Sequence, residues 1–245
     1  MIPEKQISEF VSRAHMAMGD SLESVILYGS AATGDFHRDF SNVNLLCVLR
    51  DTAFRTLEKL VPVVEWWDRK KHPAPLVLTR QELERSADVF SIELHDMQQR
   101  HRVLYGEDVL EKLQIPRQWH RAQLEYEMRE KLILLREGLL MASDSKDRRW
   151  NLLQHSLPAF TTLFRHTLIE LGETVPATKR EVVQILARRV GFDPSAFSQL
   201  LDIREHKAER SQFDVADVFA RYLTAVEQVT AAVDTMLDST GPRAS

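Results

Sequence analysis

The sequence predicts an α+β fold: a mixed sheet with helices over residues 1–115, followed by an all-helical bundle over residues 116–245. Three observations lead there. Strand-like runs occur only in the first half, at Ser24–Tyr28, Val43–Leu49, Leu76–Leu78, Asp88–His95 and Arg102–Tyr105. Helical patterns alternate with those runs, the arrangement of a small sheet with helices packed on it. Beyond Ile115-Pro116 every periodic stretch has helical spacing, and amphipathic helices without a sheet pack as a bundle.

Taken in order, Pro3–Met18 reads as a helix, with Ile7, Phe10, Val11 and Ala14 on one face and Gly19-Asp20 as its stop. A buried strand ends at Tyr28 and meets Gly29-Ser30. A polar loop leads to the second strand. Asp51 caps a helix running to about Lys70, which Pro62 should kink or split. Thr79 and Glu82 form a capping box after Leu76–Leu78. In Asp88–His95 (DVFSIELH), Phe90, Ile92 and Leu94 alternate with Ser91 and Glu93, which predicts a strand with Glu93 on its polar face. Arg102–Tyr105 reads as an edge strand closed by Gly106. The second half gives helices over Arg117–Met141 and Asp147–Leu171, the latter kinked at Pro158. Three more start at Thr178 (a capping box with Glu181), at Asp193-Pro194 and at Asp214.

Composition bounds the function. The formal net charge is -4, with 32 Lys and Arg against 36 Asp and Glu. Neither half is a basic body, which disfavours long nucleic acid as a substrate. A single cysteine, Cys47, lies in an apolar strand; it excludes an intramolecular disulfide and reads as a buried structural thiol. No signal peptide and no membrane-spanning run is apparent, so a cytoplasmic protein without a membrane partner is expected. The histidines show no zinc-binding spacing.

The chemistry concentrates in VILYGSAATGDFHRDFSNVNLLCVL, Val25–Leu49. A strand that ends in Gly29-Ser30 at a helix start offers backbone N–H groups and the Ser30 hydroxyl to a phosphate. This stretch resembles the nucleotidyltransferase superfamily, the fold of DNA polymerase beta and the aminoglycoside nucleotidyltransferases. The pattern there is an apolar strand, Gly-Ser, and about a dozen residues later two acids one apart at the head of the next strand. The strand, Gly29-Ser30, Gly34-Asp35 and the spacing are present; Ser41-Asn42-Val43-Asn44 stands where the family has Ser-Asp-x-Asp. The likeness covers roughly residues 20 to 115.

The resemblance implies a nucleoside triphosphate as ligand, magnesium as cofactor, and a site in the cleft between the two domains. The paired acids of the family hold two magnesium ions that bridge the triphosphate. Asn42 and Asn44 keep the alternate spacing without the charge, so the magnesium site is expected to be weakened. They read equally well as loop-capping residues. Glu93 is the candidate for the family's third carboxylate and for a weak metal ligand, with Asp96 the runner-up and Asp35 or Asp39 as stand-ins. His95, His101, Arg100 and Arg102 form a cluster that could meet phosphate. Arg148, Arg149, Arg165 and Arg204 on the bundle read first as solvated helix faces. Three functions follow: a catalytically impaired member of the superfamily that binds a nucleotide or another phosphate-bearing ligand; an active magnesium-dependent transferase of a nucleoside monophosphate to a small molecule; or a non-catalytic interaction module of toxin–antitoxin type. A homodimer is left open.

Overall fold

The computed structural model describes residues 2–33 and 42–238. Its contacts divide the chain into two units, Met1–His120 and Arg121–Ser245.

In the first unit, helix α1 (Glu4–Met18) precedes strand β1 (Leu22–Tyr28), the short helix α2 (Ser30–Thr33) and strand β2 (Asn44–Leu49). Helix α3 (Phe54–Asp68), strand β3 (Leu76–Thr79), helices α4 (Arg80–Arg85) and α5 (Ser91–Gln99) and strand β4 (His101–Gly106) follow. The sheet order is β3-β2-β1-β4. β1 is antiparallel to both β2 and β4, while β2 and β3 are parallel, so the sheet is mixed. β4 lies at an edge, as its sequence suggests.

Both faces of the central strands are covered, which is why β1 and β2 read as continuous apolar runs. Val25, Leu27, Leu45, Cys47 and Leu49 pack with Phe10 of α1 and Leu60 and Trp67 of α3. Ile26, Leu46 and Val48 face the other way, onto Leu83 of α4 and Leu94 and Met97 of α5. Asp51 Oδ1 accepts from the Ala53 N–H and the Thr56 hydroxyl, fixing the start of α3. α3 runs unbroken through Pro62. The Thr79–Glu82 capping box is formed in full.

One element departs from the sequence reading. Asp88–His95 is not a strand: a 3-10 turn over Ser86–Asp88 leads into α5. A strand would bury Phe90 together with Ile92 and Leu94, but Phe90 is 52% exposed. The buried set is Ser91, Leu94 and Met97, three residues apart, with Ile92 beside them. That is helical spacing.

The second unit is helical. Helix α6 (Arg117–Ala142) spans the boundary between the units and leads to α7 (Lys146–Glu170), α8 (Lys179–Val190), α9 (Ser195–Arg204) and α10 (Val215–Asp238). α7 runs through the core. Its Phe164 packs on Phe197 of α9, which stacks on Tyr222 of α10 with centroids 4.4 Å apart. The Tyr222 hydroxyl meets Ser156 Oγ at 3.1 Å, and full burial pushes the phenol well above its ordinary range. Pro158 does not end α7: the Gln154 carbonyl that its missing N–H releases accepts from Arg204 Nη1 at 3.4 Å. Thr178 and Glu181 cap α8 reciprocally, and Gly191 closes it at φ +88°. No described helix is long and apolar enough to cross a membrane.

Candidate functional site

The site grows from the end of β1. Tyr28 is the last strand residue, paired with Asn44 of β2 on one side and His101 of β4 on the other. Gly29 follows at φ +77°, and the chain turns at once into α2. Glycine adopts that left-handed conformation without a Cβ penalty. Its N–H donates to the Arg100 carbonyl at 3.1 Å, which closes the ladder between β1 and β4. A Cβ at this position would lie 3.3 Å from Asn44 Nδ2, so turn and amide are immediate neighbours.

Asn44 is half-buried and shares the sheet face of Leu46 and Val48; Asn42, two residues earlier, is exposed, and Val43 between them is buried. The alternation that the sequence requires of these residues is present. Sequence and structure therefore bring Gly29 and Asn44 together, with Tyr28 between them and His101. Tyr28 was not singled out by motif reasoning; its signal is its place as the last apolar residue before Gly-Ser. Burial raises its phenol above the ordinary range. The Ser30 side chain and residues 34–41, which include Gly34, Asp35, Asp39 and Ser41, lie outside the described residues.

Glu93 stands on a helix instead of the expected strand. It lies in the first turn of helix α5 and is exposed, so the period-of-two argument that aimed it at Asn42 and Asn44 does not apply. Asp96 is on the same helix, half-buried. Two members of the basic cluster, Arg102 and His101, are held by the protein itself. Arg102 pairs with Glu4 of α1 at 2.8 Å. His101 Nε2 meets Asp108 Oδ2 at 2.9 Å, and its Nδ1 meets the Gln98 carbonyl at 3.0 Å. Burial works to raise the Asp108 carboxyl, but the His101 hydrogen bond and charge, with the N–H groups of Glu111 and Leu110, hold it below the ordinary carboxylate range. On the bundle, Arg149 donates to the Ser143 carbonyl and Arg165 is buried.

The donor set bears on magnesium. Two magnesium ions need carboxylates converging on one point. The four described strands carry one carboxylate, Glu23, near the far end of β1, five residues before Tyr28. It faces Arg80, which also pairs with Glu107. At the Gly29 end the strand residues offer amide, phenol and imidazole. These described strand residues alone supply no carboxylate for a magnesium pair; Asp35 and Asp39 lie outside the described residues.

Residues 4–98 match the family model of the nucleotidyltransferase domain. The match lies within the first unit and covers less than half of the chain. In overall fold the protein is similar to the spectinomycin adenyltransferase AAD(9) from Enterococcus faecialis, whose crystal structure contains ATP and spectinomycin. The TM-score is 0.54 at 14% identity, covering 91% of this chain and 99% of that one. A nucleotidyltransferase-like protein from Exiguobacterium sibiricum gives a TM-score of 0.41 at 13% identity, over 93% of this chain and 75% of that one. No curated protein matches the chain in sequence. The likeness to AAD(9) is one of fold: a mixed four-stranded sheet with helices, followed by a helical region. Within the matched residues, the Gly29 turn and the head of β2 are the parts of the sequence pattern that the described residues include.

Proposed function

We propose that the protein binds a nucleotide, or another phosphate-bearing ligand, at the Gly29-Ser30 turn, and that it is a poor or inactive transferase that gains little from magnesium. One observation carries this reading. The left-handed turn at Gly29 packs against a neutral amide, Asn44 Nδ2, at the strand end where the superfamily pattern calls for metal-binding acids. The turn is kept and the charge is not.

The fold supports a nucleotide as ligand, since AAD(9), which shares it, holds ATP together with a small acceptor. Electrostatics supports impairment. Two carboxylates bind a divalent ion by charge as well as by geometry, and each close charge pair is worth about 4 kcal/mol at 4 Å in an environment of intermediate dielectric. Neutral amides forgo that attraction. Asn42 and Asn44 can still accept or donate hydrogen bonds to phosphate oxygens or to water.

The test is pyrophosphate release by the full chain with ATP, GTP, CTP or UTP, magnesium and candidate small-molecule acceptors. The expected result is no release above background, with nucleotide binding still measurable. Robust magnesium-dependent release would overturn the reading and turn attention to Asp35, Asp39, Glu93 or Asp96 as the source of the missing charge. Absence of binding by any nucleotide would favour an interaction module instead.

A further inference from the structure

Asn44 of β2, Tyr28 of β1 and His101 of β4 are paired across the sheet at the end where the Gly29 turn begins. The His101 ring is gripped at both nitrogens, Nδ1 by the Gln98 carbonyl at 3.0 Å and Nε2 by Asp108 Oδ2 at 2.9 Å. A carbonyl oxygen only accepts, and so does an ionised carboxylate. Asp108, held below the ordinary carboxylate range, is ionised at neutral pH. Both ring nitrogens must therefore donate, and only the imidazolium does that. With both nitrogens engaged, the ring is neither a base nor a donor to phosphate; it serves as a clasp. Asp108 Oδ1 accepts from the Leu110 and Glu111 N–H groups, and Gln98 Nε2 donates to the Leu110 and Leu113 carbonyls. These bonds join the end of α5, the start of β4 and residues 108–113 around one charged ring. Arg100, next to His101 in the chain, offers the carbonyl to which the Gly29 N–H is tied at 3.1 Å.

We propose that His101 is a proton-operated latch on the Gly29 turn. Protonated, it fixes the Arg100 carbonyl that holds the turn; neutral, it releases one of its two acceptors and the turn loosens. Its consequence rests on the reading of that turn as the ligand site: a phosphate-bearing ligand is held more weakly as pH rises. Histidine is the side chain suited to such a switch, since imidazole changes charge between about pH 5 and about pH 8. The neutral ring keeps one N–H and turns a lone pair towards the other acceptor. The contribution of the clasp is therefore present in the acidic part of that interval and lost in the alkaline part. Tyr28 stands beside the ring on β1 as a neutral phenol, raised by burial. From α5 the ring meets Gln98, with Glu93, His95 and Asp96 further back on that helix. Arg102 turns to Glu4 of α1, and the His15 ring of α1 lies on Tyr105, at the other end of β4. Helix α2 carries no titratable side chain. Asp108 is thus the charged group that grips the ring.

Amide hydrogen exchange at Gly29 in the full chain without ligand tests the latch, read at each pH as protection relative to an unstructured peptide. Protection should fall about fivefold between about pH 5.5 and about pH 8, the equivalent of one modest hydrogen bond. Asp108→Asn separates a latch from a merely structural contact. The Asn oxygen keeps the Leu110 and Glu111 bonds, while its amide nitrogen donates to the neutral ring. In that variant Gly29 protection should stay high and flat over the interval. His101→Gln cannot change charge and should give low, flat protection. Calorimetry with ATP, magnesium omitted, should show the same pattern in affinity. Asp108→Asn is the reference there, because phosphate itself titrates near about pH 6. Constant Gly29 protection in the unaltered chain, an equal fall in Asp108→Asn, or protection in His101→Gln as high as in the acidic unaltered chain overturns the proposal. The expected protection pattern with no ATP bound at any pH keeps the latch and removes the nucleotide reading instead.

Discussion

The two ends of β1 differ in what they do with charge. At the Glu23 end the sheet is braced: Arg80 faces both Glu23 and Glu107, and the buried Ser24 hydroxyl reaches the Tyr105 and Glu107 carbonyls at 3.1 and 2.7 Å. Gly106 sits opposite Ser24 so tightly that a Cβ there would lie 1.9 Å from the Glu23 carbonyl oxygen. At the Tyr28 end, the strands present Asn44, Tyr28 and His101, and Gly29 turns in a more open setting. Carboxylates brace the Glu23 end, while the described strand residues at the Tyr28 end include none. On the proposed function, the first end serves stability and the second binding.

The glycines give the largest expected contrast. Gly106→Ala combines a left-handed backbone with a backbone clash and should cost about 3 kcal/mol or more, read as a lower denaturant midpoint. Gly29→Ala has the strained φ but meets only an amide at 3.3 Å, so the cost should be about 1–2 kcal/mol, accompanied by at least about a fivefold loss of nucleotide affinity in calorimetry. Equal stability losses, or unchanged affinity in Gly29→Ala, would erase the distinction between the ends. Ser24→Ala should cost about 1 kcal/mol through the loss of its hydrogen bonds to the Tyr105 and Glu107 carbonyls, without changing nucleotide affinity.

A smaller effect concerns acid. Asp108 is held below the ordinary carboxylate range in the folded state. Its contribution is therefore present above that range and lost as pH falls through its folded value. Asp108→Asn should flatten the fall of thermal midpoint on acidification relative to the unaltered chain. An identical slope would mean that the His101–Asp108 contact contributes nothing to the pH dependence. Cys47 offers a control for all the unfolding measurements: burial pushes its thiol up to about 12, so it should react with alkylating agents at neutral pH only when the sheet opens.

Much of this was legible in the sequence. The β1 and β2 runs are apolar on both faces, the capping boxes at Thr79 and Thr178 are formed as written, and the break in pattern near Ile115 marks where strands stop. The helix that carries Glu93 reads as a strand because Phe90, Ile92 and Leu94 alternate over too short a stretch to separate periods. Only Met97, one turn beyond Leu94, discloses the helix, and Phe90, which completes the alternating pattern, proves to be exposed. The neighbours of Asn44 could not be read at all, since the pairing of Tyr28 with Asn44 and His101 is a matter of sheet register between distant segments.

The central claim is that the turn was kept while the metal-binding charge was lost. Calorimetric titration of the unaltered chain and of the Asn42→Asp, Asn44→Asp double variant with ATP, each with and without magnesium, tests it most directly. The account predicts that magnesium changes the affinity of the unaltered chain by less than about threefold, and tightens that of the double variant by about tenfold or more, a difference of about 1.4 kcal/mol. A magnesium enhancement of tenfold in the unaltered chain, no larger in the double variant, would contradict it.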